Sequence, residues 1–128
     1  MAGYTVRNLK EIEDSAVGGG LSPDLEARFA RRPLEAERLG LSFQRFAPDY
    51  RSTFGHRHEG QEEVYVLLSG SGRMKLGDEE VEVAKWDAVR VAPEVARAFE
   101  AGPEGAELLV FGAGRAGDAE TLPGWWGD

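Results

Sequence analysis

Glu63-Val64-Tyr65-Val66-Leu67-Leu68-Ser69-Gly70-Ser71-Gly72-Arg73-Met74-Lys75-Leu76-Gly77-Asp78-Glu79-Glu80-Val81-Glu82-Val83 is the stretch on which the fold of this chain turns. Branched and aromatic side chains come in short runs, and glycine-bearing breaks separate them. Ser69 to Gly72 parts the first two runs, and Gly77-Asp78 parts Met74-Lys75-Leu76 from Val81-Glu82-Val83. Glycine accepts the positive φ of a tight turn, so each break predicts a hairpin and the whole segment an antiparallel meander. Outward from it, the same alternation predicts strands at Leu41 to Phe46, Glu63 to Leu68, Arg73 to Leu76, Glu80 to Val83, Ala88 to Val91, Ala96 to Ala101 and Glu107 to Phe111. Short strands at this spacing mark an all-β sandwich or barrel. In the run from Glu63 to Leu68 both faces are apolar, Val64, Val66 and Leu68 on one and Tyr65 and Leu67 on the other. The barrel core covers one face; the other requires the N-terminal segment or a second subunit, which predicts a homodimer.

The flanks read differently. Residues 1–40 form an N-terminal extension of strand and short helix, 41–113 the β-barrel, and 114–128 an aromatic tail. Ser22 is suited to cap a helix with Pro23 in its first turn, Leu25 and Phe29 four apart on one face, and Pro33 closing it. Arg28, Arg31 and Arg32 lie around that face, and Asp24, Glu26, Glu35 and Glu37 are placed to neutralise them, which makes the segment a packing helix rather than an anion site. The tail Leu122-Pro123-Gly124-Trp125-Trp126-Gly127-Asp128 is aromatic enough to bury against the rest of the molecule.

Composition narrows the function classes. The 128 residues suit one domain, with 23 acidic side chains against 15 basic and a net charge of −8. Without a basic run, that balance repels phosphate backbones and argues against a nucleic-acid partner. No window approaches the roughly 20 apolar residues of a membrane span, and the first residues lack a secretion signal, so no membrane association and a cytoplasmic location are expected. The chain has no cysteine, which removes thiol nucleophiles, iron–sulfur clusters and cysteine-type zinc sites. Gly18-Gly19-Gly20 lacks the Lys-Ser/Thr of a phosphate loop.

The two histidines of the chain are His56 and His58, inside Gly55-His56-Arg57-His58-Glu59-Gly60-Gln61-Glu62-Glu63. In an extended segment, residues two apart share a face, so both imidazoles reach one ion and a carboxylate from the next strand completes a facial N,N,O set. Zn, Fe, Mn, Ni or Cu suits such a set. Pairing of both histidines also leaves none for a Ser-His-Asp arrangement.

His56-x-His58, four residues, Glu63, six residues and Gly70 resemble the first motif of the cupin superfamily, a match that selects Glu63 over Glu62. Trp86 to Phe99, with its Pro93-containing turn, resembles the second motif. The resemblance implies a jelly-roll barrel, often dimeric, with a metal or ligand site inside it. Four positions depart from the pattern. Tyr50 and Trp86 stand where the family has glycine, Glu94-Val95 occupies its Pro-x-Gly turn, and Arg97 falls where the second motif supplies a third metal-binding histidine. Arginine stays protonated and offers no lone pair. The resemblance thus implies a small-molecule-binding cupin with two outcomes. Either His56, His58 and Glu63 hold a divalent transition metal for a metal-dependent enzyme, with Arg97 meeting an anionic ligand, or Arg97 replaces the metal and pairs with Glu63 in a non-catalytic ligand-binding or sensor protein. Tyr65, Leu67, Phe99 and Phe111 are core positions, and Tyr65 and Phe99 are the two expected beside Arg97 at the ligand.

Overall fold

The computed structural model describes residues 3–114 and 117–127. A 3-10 turn (Leu9–Glu11) and a one-turn helix α1 (Ser15–Gly18) precede eight strands: β1 (Leu25–Phe29), β2 (Leu39–Phe46), β3 (Gly55–His58), β4 (Glu62–Leu76), β5 (Glu79–Val83), β6 (Ala88–Val91), β7 (Arg97–Ala113) and β8 (Ala119–Leu122). All pairings are antiparallel, and the fold is an all-β jelly roll, as its motifs imply. Among the described residues no helix is long and apolar enough to cross a membrane.

β7 organises the sheet. Its second half lies between β2 and the first half of β4, and Arg97 at its start faces His56 of β3 while the strand pairs with the second half of β4. Inward side chains of these strands, including Phe46, Tyr65, Leu67, Met74, Phe99 and Leu108, form one core.

Ser69 to Gly72 is not a hairpin. β4 runs straight through it and stays paired with β7 on both sides, with register shifts between Leu67 and Ser69 and between Gly70 and Gly72. A hairpin would need the two apolar runs to pair with each other; here both pair with β7, so the glycines serve as a corner at which two long strands bend together. Gly70 has φ +80, and a Cβ there would sit 2.0 Å from the carbonyl oxygen of Gly105 in the matching bend of β7. Gly70→Ala is therefore expected to destabilise the fold by about 2–4 kcal/mol, read as a lower urea midpoint at unchanged m-value. Gly77, at φ +60, does turn the β4–β5 hairpin.

The expected helix after Ser22 is also corrected. Leu25 to Phe29 is the edge strand β1, with Leu25 opposite Phe46, Ala27 opposite Gln44 and Phe29 opposite Ser42. A spacing of four is common to one face of a helix and one face of a strand, and pairing with the free edge of β2 decides in favour of the strand. Helix α1 starts earlier, where Asp14 accepts hydrogen bonds from the Ala16 and Ala27 N–H groups. On the outer face of β1, Glu26 is buried against Lys10 at 2.5 Å, Arg28 at 2.6 Å and Arg45 at 3.0 Å. Burial alone would raise its pKa, but the three cations hold it at about 2. The N-terminal segment is thus fastened over β1 and β2, where Phe43 is buried. Phe111, expected in the core, points outward on β7 and is 41% exposed, because it is in register with the outward Val64 and Leu41.

Candidate metal centre

Three strands bring the site together. β3 carries His56 and His58 on one face, β4 opens with Glu62 and Glu63, and β7 begins with Arg97 directly opposite His56. The alternation of β4 turns Glu63 inward with Tyr65, while Glu62 points out to Arg90. His56 Nε2 lies 3.5 Å from Glu63 Oε1, and His58 Nε2 lies 3.4 Å from Glu63 Oε2. One ligand atom from each of the three residues falls within 4.8 Å of the others, so the group could hold a metal ion.

Its electrostatics are ordered around Glu63. Burial on its own would raise the pKa of this carboxyl group, but His56, a hydrogen bond from the Tyr65 hydroxyl and His58 together lower it. Tyr65 donates to Oε1 at 2.8 Å, and burial with the neighbouring Glu63 charge pushes its phenol well above the ordinary value despite Arg97. Tyr65 therefore stays a donor.

Asp118, which the sequence reading left without a role, completes the arrangement. Its Oδ1 lies 2.6 Å from His58 Nδ1, and its Oδ2 accepts from the Gly60 N–H at 2.7 Å and the Gln61 N–H at 3.0 Å. Desolvation would raise this carboxyl group's pKa, yet those N–H groups and His58 hold it well below the carboxylate range. An ionised Asp118 requires the proton of a neutral His58 on Nδ1, which leaves the Nε2 lone pair free. That Nε2 is buried and has no hydrogen-bond partner among the described residues.

Asp118 is held there because part of the tail is a strand. β8 pairs with β3 residue for residue, from Gly55 opposite Leu122 to His58 opposite Ala119. The two tryptophans expected to bury are half-buried against the rest of the molecule. Trp125 packs on Gly55, where a Cβ would lie 2.4 Å from its Cγ, and the Lys75 ammonium sits 4.6 Å from its ring centre. Trp126 Nε1 donates to the Ser52 carbonyl at 2.9 Å. Gly55 beside His56 is thereby explained as the surface on which the tail packs. Trp86, where the family motif has glycine, has φ +74, the left-handed region that glycine tolerates most cheaply.

The site opens on a cavity of about 600 Å³ whose wall includes His56, His58, Glu63 and Tyr65. Two of the expected ligand contacts are elsewhere. Arg97 and Phe99 are fully or nearly fully buried and do not line this cavity. Arg97 lies behind Glu63, with Nη1 3.4 Å from Glu63 Oε1 and Nη2 donating to the Ala92 carbonyl at 2.8 Å. Phe99 packs edge-on against Phe46 in the core.

Known proteins share this architecture. A cupin protein from Bacteroides fragilis superposes with a TM-score of 0.73 at 21% identity, covering 94% of this chain and 91% of that one. An oxalate decarboxylase mutant from Bacillus subtilis gives 0.74 at 22% identity over 92% of this chain but 33% of the decarboxylase. At these identities the likeness is one of fold. An uncharacterised protein of Methanocaldococcus jannaschii is 38% identical over 48 residues, a stretch covering 38% of each chain; this chain therefore matches well under half of that protein. The model of the cupin domain matches residues 42–112, from β2 to the end of β7 and across both histidines and Glu63, and by that match the chain belongs to the cupin family.

Proposed function

We propose that this cupin binds a small molecule at a divalent transition metal held by His56, His58 and Glu63. The observation that carries the reading is His58 Nε2: a buried nitrogen without a hydrogen-bond partner among the described residues, on a ring whose other nitrogen Asp118 fixes, facing Glu63 and His56. A buried polar atom left unsatisfied costs about 1–3 kcal/mol, and a metal ligand is the role that removes the cost. Two imidazoles and a carboxylate suit Zn, Fe, Mn, Ni or Cu with coordination positions left over. Such an ion, when bound, supplies Lewis acidity at those positions. The chain's own residues do the rest: Asp118 orients His58, Tyr65 steadies Glu63 through Oε1, and the largely apolar cavity wall excludes water around the ligand.

A second reading has an observation of its own. Arg97 Nη1 lies 3.4 Å from Glu63 Oε1, which supports a metal-free binding protein in which the guanidinium neutralises the carboxylate. Elemental analysis of untagged protein, as purified and after metal supplementation, separates the two. About one ion per chain, lost in His58→Ala, is the expected result. Metal-free protein after supplementation would overturn the metal reading in favour of the Arg97–Glu63 pair.

A further inference from the structure

We infer that the rim of the cavity carries an anion subsite built on Arg31, and that the ligand is an organic carboxylate whose apolar body lies against Leu25, Phe29 and Phe54. The inference deepens the reading above and rests on the same cavity being the ligand site. All four side chains, with Arg32, line the cavity, and Phe29 and Phe54 are 54% and 41% exposed at its rim.

The arginines of this acidic chain are mostly neutralised. Arg28 and Arg45 pair with Glu26, Arg57 with Glu120, Arg73 with Glu100 and Arg90 with Glu62. Arg31 and Arg32 have no carboxylate at ion-pair distance among the described residues, and Glu63, already committed to Tyr65 and Arg97, is the one acidic side chain among the described residues of the cavity wall. The neutralisation expected for all three arginines of this segment thus holds for Arg28 alone.

Arg31 is nonetheless positioned. Its Nη2 reaches the Gln61 side-chain oxygen at 3.3 Å and the Gly114 carbonyl at 3.2 Å, both neutral acceptors at long range. Gly40 gives it room, since a Cβ there would stand 3.1 Å from Nη2. The remaining N–H donors of the guanidinium suit the two oxygens of a carboxylate. Gln61 also links the subsite to the metal site, because its Nε2 lies 3.3 Å from His58 Nδ1. A carboxylate on Arg31 would thus lie one side chain, Gln61, away from the ring of His58.

The test compares 3-phenylpropionate with 3-phenylpropanamide, a neutral partner of the same shape, by NMR titration at millimolar concentration. Wild type, Arg31→Gln and Arg31→Lys are each titrated metal-free and metal-loaded. The acid is expected to bind wild type about tenfold more tightly than the amide, in both metal states. Arg31→Gln is expected to abolish the preference at unchanged metal content, and Arg31→Lys to keep part of it. Equal binding of acid and amide, binding of neither, or a preference that survives Arg31→Gln would each overturn the inference. A preference indifferent to Arg31 but dependent on metal would place the carboxylate on the ion and leave the metal reading intact. An Arg31-dependent preference in protein that takes up no metal would sustain the subsite and sink the metal reading.

Discussion

Asp118→Ala is expected to weaken metal binding by about 10- to 100-fold, the range typical for loss of a carboxylate behind a ligating histidine. The cause is tautomeric and geometric. With Asp118 at 2.6 Å, His58 carries its proton on Nδ1 and presents Nε2 to Glu63 and His56. Without it, the ring is free to protonate Nε2 and to rotate toward Gln61, whose Nε2 already lies 3.3 Å from Nδ1. The Gly60 and Gln61 N–H groups lose an acceptor as well, so some loss of stability accompanies the change. Asp118→Asn separates these effects. Its oxygen can still accept from the Gly60 and Gln61 N–H groups, so most stability returns, but its amide nitrogen then faces His58 Nδ1 as a donor and favours the proton on Nε2, so the affinity stays low. Competition titration against a chromophoric chelator measures the affinities, and urea unfolding of the metal-free proteins measures the stabilities. Wild-type affinity in a folded Asp118→Ala protein would show that Asp118 has no hold on the metal site.

Asp118 also shows which part of the site was hidden in the sequence. His56, His58 and Glu63 lie within eight residues, where strand alternation and a short connection let spacing stand in for geometry. Asp118 is 60 residues from His58, and it arrives through the pairing of β8 with β3, a long-range contact that no local periodicity encodes. An acidic residue just before a short alternating run was the available signal, but nothing local says which edge that run will pair with. Arg97 stands opposite His56 at the start of β7, but its direction was not legible, since a long side chain on an inward strand position can face the cavity or lie behind its wall. In the fold, all seven expected strands are present, two pairs of them joined into the long β4 and β7, while β1, β3 and β8 and the corner at Gly70 are not what the sequence suggested. Glycine at Gly70 signals positive φ equally for a hairpin and for a bend in a continuing strand, and only the shared partner β7 decides. The same ambiguity affected Leu25 and Phe29, whose spacing fits both a helix face and a strand face.

Arg97→His is expected to raise metal affinity by about 100-fold or more. Two terms act in the same direction. Removing a guanidinium 3.4 Å from Glu63 takes away a unit positive charge beside a divalent ion, a repulsion worth several kcal/mol at about 5 Å even with an effective dielectric near 20. The register that sets Arg97 opposite His56 also puts the new imidazole on the strand facing the site, adding a nitrogen donor to the set. The metal-free protein shifts the other way. It loses the hydrogen bond to the Ala92 carbonyl and the countercharge of a buried carboxylate, and removing one partner of a buried pair costs about 3–5 kcal/mol; Tyr65 and the two histidines offset part of that. The variant should therefore melt below wild type without metal and close the gap, or pass it, with metal. Arg97→Met serves as the control, since it removes the charge without adding a donor and is expected to gain only the electrostatic part. A folded Arg97→His protein with unchanged metal affinity would mean that the site is not shaped for an ion. Glu63 would then be the anionic half of a structural pair, and the histidines would serve the ligand directly.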